Sequence, residues 1–210
     1  MTVRAALLLL ADSQLLFRPS AVPQAARHLA GRPLQAAYLG AANGNQVEFF
    51  ELACAGLASL LGCEAPCRHI ITADDVNGPL PSVVILAGGS VSAGWDFIHQ
   101  SVVRHWLQRI SDNPNALVIG VSAGAIHLGR GCDPEQMNPL AQPYLDWLPH
   151  FVAVHEEQQG WPSRQVWQAG GQQGDFLGIP FGGGLWMQGD RRESVSRPCL
   201  QQTGRQCRDQ

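Results

Sequence analysis

The chain has 210 residues and not one lysine; all 14 basic residues are arginine. A Schiff-base lysine and a Ser–Lys dyad are thereby excluded, because both need a side-chain amine that can give up its proton. Charge of either sign is scarce, at 15% of residues, and the formal net charge is −3. With no basic stripe or run, neither nucleic acid nor an acidic membrane surface is expected as a partner. Long apolar runs are missing too. The run Ala5–Ala11 is far shorter than the roughly 18 residues needed to span a bilayer. It is followed by Asp12 and Ser13 instead of a small-residue cleavage site, so it reads as a buried strand and not as a signal peptide. A cytoplasmic location is the expectation. What remains is a chain with 45% apolar residues, enough for one globular core.

The six cysteines are Cys54, Cys63, Cys67, Cys132, Cys199 and Cys207. Disulfide frameworks belong to short secreted chains, so reduced thiols are the better reading here. Cys63, Cys67 and His69 make three candidate zinc ligands without a fourth. No metal and no other cofactor is expected.

Strand-like and helix-like stretches alternate, as in a mostly parallel sheet with helices on both faces. Strands are expected at Ala5–Leu10, Leu34–Leu39, Arg68–Thr72, Ser82–Ala87, Ala116–Val121, Phe151–Val154 and Phe176–Ile179. Ser82–Ala87 and Ala116–Val121 are continuous apolar runs, as strands covered on both faces should be. Helices are expected at Val22–Ala30, Gln46–Leu61, Trp95–Ile110, Ser122–Leu128 and Ser163–Gln168. Residues 1–189 thus read as a single α/β domain. Residues 190–210 read as a polar, Arg-rich tail, partly disordered, with a final edge strand as the alternative.

Gly120-Val121-Ser122-Ala123-Gly124 matches G-x-S-x-G, the nucleophile elbow. An apolar strand leads into it and a helical pattern follows. A serine on such a turn is pushed out of the sheet edge, and bulky residues two places either side would clash. The Ala123 N–H lies beside the charge that would develop there. The bland alternative is a Gly-rich turn whose serine only caps a helix. A serine hydroxyl needs a base, usually histidine. His28, His69, His99 and His105 read as structural or surface residues. His127 follows on the same helix and points away. His150 and His155, in LPHFVAVHEE, can return to the sheet edge that carries the elbow. His155 is the preferred base and His150 the alternative.

Three stretches resemble the serine peptidases that include peptidase E (aspartyl dipeptidase) and cyanophycinase. They are Val83–Ile98 with its Gly-Gly loop, Val118–Gly129 with the elbow, and Leu148–Arg164 with its histidines. Ala37–Asn45 and Gly178–Gly184 add support. The resemblance implies a class I glutamine-amidotransferase-like, flavodoxin-like three-layer fold. It implies Ser122 as nucleophile, Gly89 and Ala123 as oxyanion-hole donors, and a histidine base in the third stretch. The family's histidine lies further along, at a place held here by about Gln159, so His155 is taken by proximity. The acid is expected between elbow and base. Asp133 is named, with Glu135 and Asp146 as alternatives and Glu157 as a further one. A preference for N-terminal Asp would call for a cationic pocket; Arg130 and Arg164 are the available cations, and no Asp specificity is assigned.

The reading is therefore a divergent serine hydrolase that cleaves a small peptide or amide through an acyl-enzyme. A homodimer is an allowed assembly. Two other classes compete. A glutamine-amidotransferase-type ammonia donor would share the fold but normally uses a thiolate. A non-catalytic binding protein on the same scaffold would need neither base nor acid. Trp161 and Trp186 flank the candidate segments, with packing the commoner role for tryptophan.

Overall fold

The computed structural model describes residues 3–135, 141–171 and 174–204. The chain opens with β1 (Ala6–Leu10), a 3-10 turn at Ser13–Phe17 and α1 (Pro23–Leu29). β2 (Ala36–Leu39), α2 (Val47–Leu61), β3 (Cys67–Ile70) and β4 (Val83–Leu86) follow. Next come α3 (Val91–Ile98), α4 (Ser101–Ser111), β5 (Leu117–Val121) and α5 (Ala123–Leu128). The last third holds β6 (Arg130–Gly131), β7 (Gln142–Pro143), β8 (His150–Val154), α6 (Pro162–Ala169) and β9 (Asp175–Ile179). It ends with β10 (Gly184–Gln188), β11 (Arg191–Val195) and β12 (Leu200–Gln202).

These strands form two sheets, ordered β11-β10-β1-β5-β4-β2-β3 and β12-β9-β8-β6-β7. In the larger sheet the five strands from β1 to β3 are parallel, and β10 and β11 add antiparallel strands beyond β1. The α/β, mostly parallel, three-layer class expected from the alternation is thus the one found. The cause is visible in burial. Every residue of β1, β4 and β5 is buried, because helices cover both faces of a parallel sheet and leave no wet side. β5 lies between β1 and β4, so the turn that follows it sits at the middle of the sheet edge.

Three features depart from the expected elements. The stretch read as one helix, Trp95–Ile110, is two. α3 starts earlier, at Val91, where the Ser90 hydroxyl accepts the Ala93 N–H (3.4 Å). It stops at His99, and Gln100 takes an extended ψ of 132° before α4 begins. β10 lies behind the glycines at 182–184, where the apolar run Leu185–Met187 is buried against β1. Part of the polar tail is paired. Arg191–Val195 joins β10 and Leu200–Gln202 joins β9, so the edge-strand alternative describes those residues. Exposed edges need few apolar side chains, and Val195 is the one buried residue of β11, which is why the segment reads as tail. Residues 205–210, with Cys207, lie outside the described residues.

The five described cysteines carry free thiols. Among the described residues no group of three His, Cys, Asp or Glu side chains is placed to hold a metal. No described helix is long and apolar enough to cross a membrane.

Candidate active site

β5 ends directly in Ser122, which sits at φ 50°, ψ −112°, a region that non-glycine residues avoid. The surroundings hold it there. The Ser122 N–H donates to the Leu10 carbonyl (2.9 Å), and its carbonyl accepts the N–H groups of Ala125 and Ile126 (2.9 and 3.2 Å). With both backbone groups fixed, the side chain projects off the sheet edge. The flanking glycines are there for space. A Cβ on Gly120 would lie 2.6 Å from the Gly124 carbonyl oxygen, and one on Gly124 would lie 2.2 Å from the Leu86 carbonyl oxygen. β5, α5 and β4 pack through these two bare α-carbons.

His155 arrives from the other sheet. It follows β8 and also has a positive φ, 47°, and its N–H donates to the Ile179 carbonyl at the end of β9 (2.8 Å). The ring reaches the elbow: Ser122 Oγ lies 3.1 Å from His155 Nε2, within range for the hydroxyl to donate to an unprotonated nitrogen. Two residues 33 apart in sequence, each on an unfavourable backbone, thus meet at the ends of strands from different sheets. Ser122 is half-buried and His155 is exposed.

Gly89 follows β4 at φ +133°, where a Cβ would lie 2.1 Å from the Ala42 carbonyl oxygen. That carbonyl accepts the next amide, from Ser90 (2.8 Å), which fixes the turn. Gly88 packs on the nucleophile: a Cβ there would lie 3.2 Å from Ser122 Cβ. The N–H groups of Gly89 and Ala123 donate to no acceptor among the described residues, so two donors are left unspent next to Ser122.

Five other histidines have structural partners, and the sixth, His105, is exposed on α4. His127 is buried, and its Nε2 donates to the Val91 carbonyl (2.8 Å); burial lowers its pKa to about 4. His28 donates through Nε2 to the Ala116 carbonyl (3.1 Å), and His69 stacks on Phe50. His150 opens β8 while His155 follows its end, so the pair does not share one sheet edge. Arg192 donates to His150 Nε2 (2.9 Å), and burial, then the Arg192 charge, hold its pKa near 4. His150 is therefore neutral and engaged, and only His155 reaches Ser122. A stability prediction follows. His127 and His150 stay neutral in the fold but take up protons once unfolded, near the ordinary histidine value. Their contribution is complete above about pH 6.5 and is lost as the pH falls toward about 4. The loss should be on the order of 3 kcal/mol for each histidine. Thermal melts across that window should show it, and His150→Gln should flatten part of the slope.

The acids separate as well. Asp146 is bound by Arg130 in a two-pronged pair (2.8 and 3.0 Å), which commits both groups to each other. Glu135 is exposed. Asp133 is buried, accepts the Glu135 N–H (2.9 Å), and its charge acts on Cys132, Tyr144 and His127. Glu157 accepts the Phe181 N–H (3.0 Å) and lies 3.3 Å from Arg197, while its Oε2 is buried with no hydrogen-bond partner. An open cleft of about 480 Å³ holds Ser122, His155 and Glu157 together with Asp12, Ser13 and Phe181. The sequence does not single out Asp12 and Ser13 as site residues, although they lie just past the end of β1, the neighbour of β5. Asp12 joins two loops, accepting the N–H groups of Gln14 (2.9 Å) and Gly182 (2.6 Å). Trp161 packs edge-on to Phe176, and Trp186 is buried against His28, so both serve packing.

No family model matches the chain, and no curated protein matches it in sequence. In fold it belongs with solved peptidase structures, as the sequence resemblance implies. One is a peptidase from an acI-B1 actinobacterium, with a TM-score of 0.67 at 15% identity over 96% of this chain and 95% of that one. Another is a peptidase E candidate from Listeria monocytogenes EGD-e, with a TM-score of 0.59 at 12% identity over 92% of this chain and 99% of that one.

Proposed function

We propose that the protein is a serine hydrolase of the peptidase E type, which cleaves a small peptide or amide through an acyl-enzyme on Ser122. The observation that carries the reading is the 3.1 Å contact between Ser122 Oγ and His155 Nε2 at the elbow. In the proposed cycle Ser122 Oγ attacks the scissile carbonyl carbon while its proton passes to His155 Nε2. The oxyanion that forms is met by the N–H groups of Gly89 and Ala123. Collapse expels the amine, which takes the proton from His155. A water molecule then repeats the sequence on the acyl-enzyme and releases the carboxylic acid. The peptidase names of the two structures with this fold support the same class.

For the carboxylate that steadies the histidine, the observations favour Glu157 over Asp133. Glu157 lines the cleft of Ser122 and His155 and keeps a buried oxygen without a partner. Asp133 acts on a different cluster. Glu157→Gln is expected to lower kcat by about 10²-fold with KM little changed, and Asp133→Asn by much less. Steady-state kinetics on a panel of dipeptides and aminoacyl amides checks this. An unchanged kcat with Glu157→Gln together with a larger loss with Asp133→Asn would return the role to Asp133. The reading as a whole is tested by the same panel with His155→Gln. Hydrolysis should drop by about 10³-fold, and an unchanged rate would end it.

A further inference from the structure

Beside the nucleophile lies a second cavity of about 240 Å³. Ser13 and Val121 belong to its wall and to the wall of the catalytic cleft, so the two spaces adjoin at the elbow. One side is the Gly88–Gly89 turn. The other is apolar, formed by Leu16, Phe49, Leu52 and Ala53 from the Ser13–Phe17 turn and α2. No charged residue lines it. Its polar groups are neutral. Burial pushes the Tyr38 phenol up, so it keeps its proton. Asn43 Nδ2 donates to that phenol oxygen (2.6 Å), which leaves Asn43 Oδ1 buried without a partner. Phe49 and Leu52 are each 44% exposed, which leaves apolar surface facing solvent at the cavity instead of in the core.

The chemistry of Ser122 assigns a direction to this space. The leaving amine must collect its proton from His155 Nε2, and His155 lines the open cleft and not the cavity. The amine side of the substrate therefore belongs in the cleft. The carbonyl oxygen turns to the Gly89 and Ala123 N–H groups. The remaining substituent of the carbonyl carbon then runs along the Gly88–Gly89 wall, where the cavity begins. We infer that this cavity receives the acyl-side residue of the substrate and selects a large, uncharged, apolar side chain. The inference rests on the hydrolase reading and adds its specificity. An acidic side chain would lose its hydration with no cation lining the cavity to meet it, and the adjoining cleft adds the carboxylate of Asp12. Arg130, a cation available in the sequence, is taken by Asp146. The aspartyl preference that the resemblance carries is thus not what this cavity would hold.

The test uses the full chain and diphenyl phosphonates of Phe, Leu, Ala and Asp. In each, Ser122 Oγ bonds to phosphorus and phenol leaves with the serine proton. The Phe and Leu probes are expected to inactivate at least about tenfold faster than the Ala and Asp probes. Ala53→Phe, which fills the cavity from α2, should cut the Phe-over-Ala ratio at least about tenfold. Leu52→Arg, at an exposed position with little bearing on folding, should raise the Asp rate relative to Phe. Labelling of Ser122 at equal rates by all four probes, or fastest with the Asp probe, overturns the cavity assignment and leaves the hydrolase reading standing. Unchanged ratios in both variants do the same. Failure of every probe to modify Ser122 overturns the hydrolase reading and this inference with it.

Discussion

Ser122→Ala is expected to abolish hydrolysis, with kcat reduced by roughly 10³–10⁶-fold, while the protein stays folded. The loss is large because the proposed route runs through one covalent bond to Oγ. Ser13 shares the cleft, but the serine hydroxyl in contact with His155 is that of Ser122. Any residual turnover would come from the unspent N–H groups and from binding alone. The fold should survive because alanine keeps the Cβ and the backbone at residue 122 is held from both sides, by Leu10, Ala125 and Ile126. A melting temperature within about 2 °C of the parent, with no measurable product, is the expected pair of readings.

Gly124→Ala should be among the most damaging single-methyl additions to the fold. The added Cβ would sit 2.2 Å from the Leu86 carbonyl oxygen and 2.7 Å from its carbon. Both belong to backbone inside the central sheet, so neither can swing aside as a side-chain tip can. Relief requires α5 to lift from β4, and α5 is wholly buried. The cost should reach about 3 kcal/mol or more, a fall of roughly 6–12 °C in melting temperature for a domain of this size. Activity should fall further than stability, because any shift of α5 carries Ser122 with it. Gly62→Ala supplies the contrast. That glycine closes α2 at φ +71° with nothing within 4 Å, so only its backbone preference is offended, at about 1–2 kcal/mol. Denaturant titration of the two variants side by side checks the order. Equal stability losses would mean that the elbow glycines serve the turn conformation and not the close approach.

The parts of this site that could be read from the sequence are those fixed by local chemistry. Two apolar runs, at 82–87 and 116–121, announce buried parallel strands because burial on both faces leaves no room for polar alternation. The elbow announces itself because the strand, the serine and the glycines lie within five consecutive residues and Gly120 is forced by a contact with Gly124, although the clash that forces Gly124 comes from Leu86, far away in sequence. What was hidden depends on the other end of a contact. His150 and His155 look alike in HFVAVHEE, yet a strand of five residues separates their ends by roughly 16 Å, and only the paired sheet shows which end faces Ser122. The role of Asp12 depends on Gly182, 170 residues away. The cavity beside the nucleophile takes only Val121 from the elbow; the rest of its wall comes from α2, β2, the turn after β1 and the end of β4, all distant from the elbow in sequence. The break between α3 and α4 is not legible because each helix carries its own apolar stripe, and the two together imitate one long pattern.

The proposed hydrolysis requires a Ser122 hydroxyl that can react. The most direct measurement is treatment of the native protein with a fluorophosphonate, followed by peptide mass spectrometry and repeated with His155→Gln. One adduct on Ser122, lost on heat denaturation and at least about 10²-fold slower in the variant, is the predicted result. An intact protein with Ser122 unmodified, or labelling that ignores the His155 substitution, would contradict it.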